Sequence, residues 1–315
     1  MARIAGMIEA TGLVKSFGSL RAVDGVGFQV QKGELYGLLG PNGAGKTTTM
    51  SMLAGLLAPD EGQIRFDGVD LAVRPLEVKR QLGVVPQEPA LYETLSAREN
   101  LRFWGGLYGL AGRELGAAVD RVLELVGLAD RASEPIRGYS GGMKRRLNLA
   151  LGLVHGPRVV LMDEPTVGID PQARLKILEA VKGVTASGTT VIYTTHYLEE
   201  AEELCDRIAI MDHGKILAEG TLDELIRRVG GRELVTVRGA FSPDALRGVV
   251  ASLPGVAVTT EEPGRIVLTV DRTGRGVVEV LGRILGAGLD LQGVSVQPPS
   301  LNMLFLNLTG RELRD

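Results

Sequence analysis

Cysteine is almost missing from this sequence. Cys205 stands alone among 315 residues, so no disulfide can form within the chain, and the usage fits a reducing compartment. Long apolar runs are missing too. A membrane span needs about 20 consecutive apolar residues, and the strongest run here, Val159–Met162, ends in charge at Asp163. The opening MARIAGMIEA has no apolar stretch of signal-peptide length, so the expectation is a chain made and kept in the cytosol. There is no excess of basic charge. The 35 Lys and Arg face 38 Asp and Glu, for a net charge of −3, which argues against a protein built to coat nucleic acid. Aromatics make up only 4%, so each one beside a motif draws notice.

The composition is otherwise that of a globular protein, 44% hydrophobic and 23% charged. At roughly 150 residues per domain the length points to two domains. Neither repeats nor low-complexity tracts occur. The first two thirds alternate short apolar strands with helical stretches. Strands are expected up to Leu39 and at Ile64–Phe66, Leu82–Val85, Val159–Met162 and Thr189–Thr194. Helices are expected at Met52–Leu57, Ser96–Tyr108, Glu114–Val126, Leu147–Val154, Arg174–Thr185 and Tyr197–Cys205, the last with an acidic face. Ile208–Met211 and Lys215–Glu219 read as a hairpin around His213-Gly214. This alternation predicts a mostly parallel α/β sheet.

The texture changes near Gly230-Gly231, and the domain boundary is expected within Leu222–Gly231. Beyond it the order is strand (Leu234–Val237), helix (Pro243–Leu253), strand (Val256–Thr260), strand (Ile266–Asp271), helix (Arg275–Leu285), strand (Val294–Gln297). That is βαββαβ, the split βαβ or ferredoxin-like order. Leu246, Val249, Val250 and Leu253 share one helical face behind Ser242 and Pro243, an N-cap and first-turn signal. A last helix, Ser300–Leu308, closes the chain.

Chemistry concentrates in a few places. Gly40-Pro41-Asn42-Gly43-Ala44-Gly45-Lys46-Thr47 fits G-x-x-x-x-G-K-[ST] between a strand and a helix. In such a loop, backbone N–H groups and the helix N-terminus cradle phosphates; Lys46 can reach the β- and γ-phosphates and Thr47 can ligate Mg²⁺. Thr48 follows in the same turn. Asp163 closes an apolar strand where it can hold Mg²⁺, and Glu164 stands where a carboxylate can polarise water.

Tyr139-Ser140-Gly141-Gly142-Met143 lies between these motifs, at the start of a helix. Here the chain resembles the ATP-binding-cassette ATPases, whose signature is usually written LSGGQ. The version YSGGM, followed by KRRLNLAL, is similar to the subgroup serving drug, sodium and lipid exporters with separate membrane subunits. The resemblance implies a RecA-like core, an antiparallel β subdomain and a helical signature subdomain (about 90–155) in a cassette over 1–225. A small α+β ferredoxin-like accessory domain would follow over 232–315. Ser140 with the backbone of Gly141-Gly142 makes a second anion site. Since one chain already has a phosphate loop, that site is best explained as gripping ATP held by a partner copy. The same resemblance makes Phe17, in KSFG, the residue stacked on adenine, against the alternative of a packed core side chain. It makes Gln87, in VVPQEP, a Mg²⁺-sensing residue facing the membrane subunit. It makes Asp170, in VGID, part of a loop crossing the dimer interface, although the usual form is closer to SALD. It makes His196, in YTTHYLEEAE, the switch residue on the γ-phosphate. Glu134 resembles part of a coupling loop. The tail SLNMLFLNLTGREL resembles the end of the same subgroup, with Asn302-Met303 replacing acidic residues.

The expected function is therefore ATP binding and hydrolysis in a homodimer that drives a separately encoded integral-membrane exporter subunit. Its cofactors would be ATP and Mg²⁺, its place the inner face of the cell membrane, and nucleic acid would not be a partner. A soluble motor of the same superfamily is the alternative. A different P-loop protein, such as a GTPase, would leave YSGGM, Gln87 and His196 unexplained. Other features read as bland. Lys144-Arg145-Arg146 is expected to be a solvated face, Cys205 a small apolar filler, and His155 and His213 have no assigned role. Trp104 and Tyr108, four apart on one helical face, either pack inside the helical subdomain or meet a partner.

Overall fold

Two long strands absent from the sequence-based expectation open the computed structural model: β1 (Ile8–Phe17) and β2 (Leu20–Val30). They pair antiparallel from Ile8 opposite Val30 to Phe17 opposite Leu20, so the tight turn at Gly18 fixes where Phe17 points. The structure describes residues 6–228, 232–251, 253–271 and 276–310. Gly230-Gly231, Arg275, the first five residues and the final REL of the tail motif lie outside the described residues.

The chain forms two units, Met1–Glu219 and Gly220–Asp315. The first continues with β3 (Leu35–Leu39), α1 (Lys46–Leu53), β4 (Glu61–Phe66), β5 (Val69–Asp70), α2 (Pro75–Lys79) and β6 (Leu82–Val85). Then come α3 (Ala97–Leu107), α4 (Gly112–Leu125), α5 (Gly141–Leu153), β7 (Val159–Asp163), α6 (Pro171–Ala186), β8 (Thr190–Thr195), α7 (Leu198–Leu204), β9 (Arg207–Asp212) and β10 (Lys215–Gly220). Strands β2-β1-β4-β5 form one sheet and β10-β9-β3-β8-β7-β6 another. In the second sheet β9, β3, β8, β7 and β6 run parallel.

Parallel strands covered on both faces read as unbroken apolar runs. Every residue of β3, β7 and β8 is buried. Side chains alternate across the sheet. Leu161 joins a core with Ile8, Phe28, Met52 and Leu53 on the α1 side. Its neighbours Val160 and Met162 join a second core with Leu101, Val122, Leu147 and Ile177 from α3, α4, α5 and α6. The phosphate loop and its carboxylates sit at the carboxyl end of this sheet, where open α/β folds place ligands.

Helix limits follow local chemistry. Ser96 caps α3 in a reciprocal capping box with Glu99, and Tyr108 closes it. The helix expected at Met52–Leu57 instead starts at Lys46, directly off the phosphate loop, and is stopped by Gly55 at φ +63. The β9–β10 turn has φ +45 at His213 and +76 at Gly214, the signature of a tight primed hairpin turn.

The second unit comprises α8 (Leu222–Arg228), β11 (Arg232–Gly239), α9 (Pro243–Val250), β12 (Val256–Glu262), β13 (Arg265–Asp271), α10 (Gly276–Gly286), β14 (Leu291–Gln297) and α11 (Leu301–Thr309). The residues read as part of the domain boundary thus include a helix, α8, with Leu225 buried. The antiparallel order β12-β13-β11-β14 is that of the split βαβ unit. Leu246 and Val250 of α9 and Val280 and Ile284 of α10 pack with Val235, Val237, Ile266 and Leu268.

Two expectations about charge fail. Arg145 and Arg146 are 7% and 9% exposed, not a solvated face. Their guanidinium groups are drawn inward by backbone carbonyls, with Arg146 Nη1 donating to Val126 at 2.8 Å and Gly127 at 2.9 Å. The acidic face expected of α7 is also partly internal. Glu200 is fully buried, accepting from the Tyr193 and Thr195 hydroxyls at 2.8 Å each and pairing with Arg174 at 2.8 Å. A buried carboxylate is tolerable only when paired in this way.

Candidate nucleotide site

A cavity of about 350 Å³ opens at the start of α1, lined by Phe17, Leu20, Ala22, residues 42–48, Gln87 and Glu164. This size suits a nucleotide-scale ligand. The loop turns into α1 at Gly45, which has φ +101 and lies where a Cβ would come within 2.5 Å of the Ala22 carbonyl. The β9–β10 turn props the loop, with Gly214 N–H donating to the Ala44 carbonyl at 3.0 Å. Phe17 is half exposed (51%) at the cavity rim, with the Lys15 ammonium 6.0 Å from its ring centre, so it is not a packed core residue.

Lys46 is buried and donates to the Gly40 carbonyl at 2.6 Å and the Pro41 carbonyl at 3.1 Å. It also pairs with Glu164 Oε1 at 2.9 Å. The other carboxylate oxygen of Glu164 lies 3.2 Å from His196 Nδ1, within ion-pair reach but outside hydrogen-bond geometry. Glu164 takes a left-handed backbone, φ +43, which costs a non-glycine residue about 1 kcal/mol or more. Its N–H is held by Thr194 Oγ1 at 2.9 Å, and that hydroxyl donates to Asp163 Oδ1 at 2.6 Å. Thr194 therefore holds the carboxylate of Asp163 and the backbone of Glu164. No spacing in the sequence signals this role, because the pairing crosses from β8 to β7.

The oxygen-bearing groups expected to hold Mg²⁺ are Thr47, Gln87 and Asp163. Thr47 and Gln87 line the cavity with exposed side chains. Asp163 is buried at the end of β7 and does not line the cavity. Magnesium in phosphate sites takes few protein oxygens and completes its shell from phosphate and water, so this hard-oxygen set fits it.

Ser140, Gly141, Gly142 and Asp170 do not line the cavity. Ser140 caps α5, accepting from Met143 N–H at 3.3 Å, and is exposed. Asp170 caps α6, accepting from Ala173 N–H at 2.9 Å. The two caps are neighbours, because a Cβ on Gly142 would lie 3.4 Å from Asp170 Oδ2. One chain therefore carries two separate candidate phosphate-binding surfaces.

Outside the cavity, Trp104 packs against the helical core while Tyr108 stacks on His155 at 3.6 Å between ring centres. Burial lowers the proton affinity of His155, whose Nε2 lies 3.2 Å from the Leu82 carbonyl. Cys205 packs partly buried against the same core, and its thiol is pushed well above the usual range by burial. A larger cavity, about 440 Å³, lies beside Leu56, Ile64 and Leu71 away from the phosphate loop.

A parallel sheet with a phosphate loop leading into α1, an added antiparallel sheet and a helical subdomain that begins α5 with Ser-Gly-Gly defines an ATP-binding cassette. The family described as ABC transporter matches residues 23–167. Over 311 residues the chain is 45% identical to the linearmycin resistance ATP-binding protein LnrL of Bacillus subtilis, covering 98% of this chain and all of that one. It is 41% identical to the daunorubicin resistance ATP-binding protein DrrA3 of Streptomyces coeruleorubidus, covering 98% and 97%. It is 39% identical to the Nod factor export ATP-binding protein I of Ralstonia nicotianae, covering 98% and 95%. A solved ATP-binding subunit of an ABC transporter superimposes with a TM-score of 0.65 at 34% identity, covering 71% of this chain and 93% of that one. A dimeric, post-hydrolysis cassette bound to ADP and Pi superimposes with a TM-score of 0.63 at 25% identity, covering 68% and 98%.

The chain belongs to the ATP-binding subunits of ABC transporters, in the exporter-type subgroup. It is an ATPase that works with a membrane partner, its hydrolysis coupled to transport. Among the described residues no helix is long and apolar enough to cross a membrane.

Proposed function

We propose that two copies of this chain close head to tail around two ATP molecules. Each site takes residues 40–48, Asp163 and Glu164 from one copy and Ser140, Gly141 and Gly142 from the other. The observation that carries this reading is the separation of the two anion-binding surfaces within one chain. ATP favours closure because it touches both copies only when they are closed.

Lys46 is satisfied by two carbonyls and Glu164. Phosphate oxygens replace those partners when ATP enters, and Glu164 is then free to orient and deprotonate the attacking water. Bound Mg²⁺ would offset phosphate charge, held through Thr47, Asp163 and Gln87. His196, directly after β8, faces the γ-phosphate, and Phe17 stacks on adenine. Asp170 lines the dimer seam beside Gly142.

The membrane partner is proposed to meet the aromatic patch that follows Gln87. Tyr92 and Phe103 are 47% and 43% exposed and stack edge to face, with Phe103 edge to face on Trp104. Docking there places the chain on the cytoplasmic face of the membrane. Residues 1–225 form the cassette in this reading and residues 232–315 an accessory unit for dimerisation or regulation.

The test is the mass of Glu164→Gln by light scattering with and without Mg-ATP. A monomer that becomes a dimer only with Mg-ATP, and fails to do so once Ser140→Arg is added, is the expected result. A mass that ignores ATP, or a dimer indifferent to Ser140→Arg, overturns the composite site.

A further inference from the structure

Three side chains of α5, among them Lys144 and Arg145 that were expected to be solvated, reach the segment that carries Gln87. Asn148 Nδ2 donates to the Pro86 carbonyl at 2.9 Å. One turn nearer the helix start, Arg145 Nη1 donates to the Gln87 carbonyl and Nη2 to the Val167 carbonyl at 3.1 Å. Lys144 pairs with Glu93 further along the same segment. Arg145 is the buried member with two targets. Val167 lies between Glu164 and Asp170, so one guanidinium joins three places: the helix headed by Ser140–Gly142, the Gln87 segment, and the loop leaving Glu164. A planar fork of donors holds two acceptors at fixed separation, which a flexible ammonium cannot do.

Resting on the two-copy site proposed above, we infer that Arg145 is a positioning residue linking the two ATP sites of the dimer. Ser140–Gly142 of one copy grips the nucleotide of its partner, and Arg145 carries that engagement back to Gln87 and the Glu164 loop of its own copy. Displacement of α5 by the partner's ATP is transmitted rigidly because both carbonyls move with the guanidinium. Without Arg145 each site would fire independently.

The test uses the full chain with Arg145→Met and, should that variant fold poorly, Arg145→Lys, which keeps the charge but places its donors on a single nitrogen. In steady-state ATPase assays, wild type is expected to respond cooperatively to ATP. Arg145→Met should respond hyperbolically, with a lower kcat and little change in ATP affinity, and Arg145→Lys should fall between. Hydrogen exchange over residues 86–93 should be about tenfold faster in Arg145→Met, while residues 40–48 keep their wild-type protection. In the Glu164→Gln background, Arg145→Met should still dimerise with Mg-ATP but lose the added protection over 86–93. Hyperbolic kinetics in wild type, unchanged cooperativity in Arg145→Met, or unchanged exchange over 86–93 overturns the inference. Loss of dimerisation by Arg145→Met where Glu164→Gln alone dimerises also overturns it, since the arginine would then serve only to build the signature helix. Failure of Glu164→Gln itself to dimerise instead counts against the composite site, and is distinguishable because the exchange of 86–93 without ATP still reads the tether.

Discussion

Glu164 Oε1 lies 2.9 Å from Lys46 Nζ, and both side chains are buried. The proposed general base and the proposed phosphate-binding lysine therefore form a buried pair. A buried pair is costly to break from one side, since the survivor is left charged and unpaired, by about 3 kcal/mol. Lys46→Met should lower unfolding stability by about that amount and abolish ATP binding. The double variant Lys46→Met, Glu164→Gln should recover most of the stability and none of the activity. Urea unfolding of the two proteins checks this, and equal stability of both would refute it.

Gly45 has no room for a side chain. At φ +101, with the Ala22 carbonyl 2.5 Å from where a Cβ would stand, Gly45→Ala must shift the loop. The expected loss is about 2 kcal/mol of stability, with ATP affinity falling far more than in Gly43→Ala. Gly43 also has a positive φ but has nothing within 4 Å of its Cβ position. Binding of a fluorescent ATP analogue to the two variants separates crowding from backbone strain.

Glu200 ties the end of β8 to α6. Its carboxylate accepts from Tyr193 and Thr195 and pairs with Arg174, and Thr195 Oγ1 in turn accepts from Tyr197 N–H at 2.9 Å. Glu200→Ala should cost about 3 kcal/mol of stability and lower kcat more than it changes the KM for ATP. Glu200→Gln, which keeps an acceptor, should retain more of both. Denaturation together with ATPase kinetics of the two variants is the check.

His155 gives a pH-dependent prediction. Burial holds its folded-state proton affinity below the ordinary value of 6.5. Below that pH the unfolded chain binds a proton that the folded chain resists, so this contribution to stability is present above 6.5 and is lost as pH falls through the folded value. The slope is at most about 1.4 kcal/mol per pH unit for one proton. His155→Phe keeps a ring against Tyr108 and removes the titration, so its stability should fall less between pH 6.5 and 5 than that of wild type. Parallel slopes from thermal melts over this range would sink the assignment.

Much of the site was legible in the sequence because its motifs are local. A phosphate loop must be contiguous to bring successive N–H groups around an anion, and it was readable at residues 40–48. Ser96 to Tyr108 was legible for the same reason, since capping and helical period act over a few residues. Strand β1 was not, because its pattern is broken by the register shifts between Ala10, Leu13 and Val14. Arg145 and Glu200 were misread because charge in a helical stretch predicts solvent unless a partner distant in sequence is known.

The sequence alone determined which chemistry the chain carries: phosphate loop, paired carboxylates, Ser-Gly-Gly helix start and a βαββαβ tail. Tertiary structure decided which groups meet. It brought Thr194 to Asp163 and Glu164, drew Arg145 to the carbonyls of Gln87 and Val167, and left Ser140 outside the cavity that holds Lys46. Local patterns reflect hydrogen bonds and burial within a few residues. These pairings join segments separated by tens of residues in sequence, and they exist only once the parallel sheet and helical subdomain have packed.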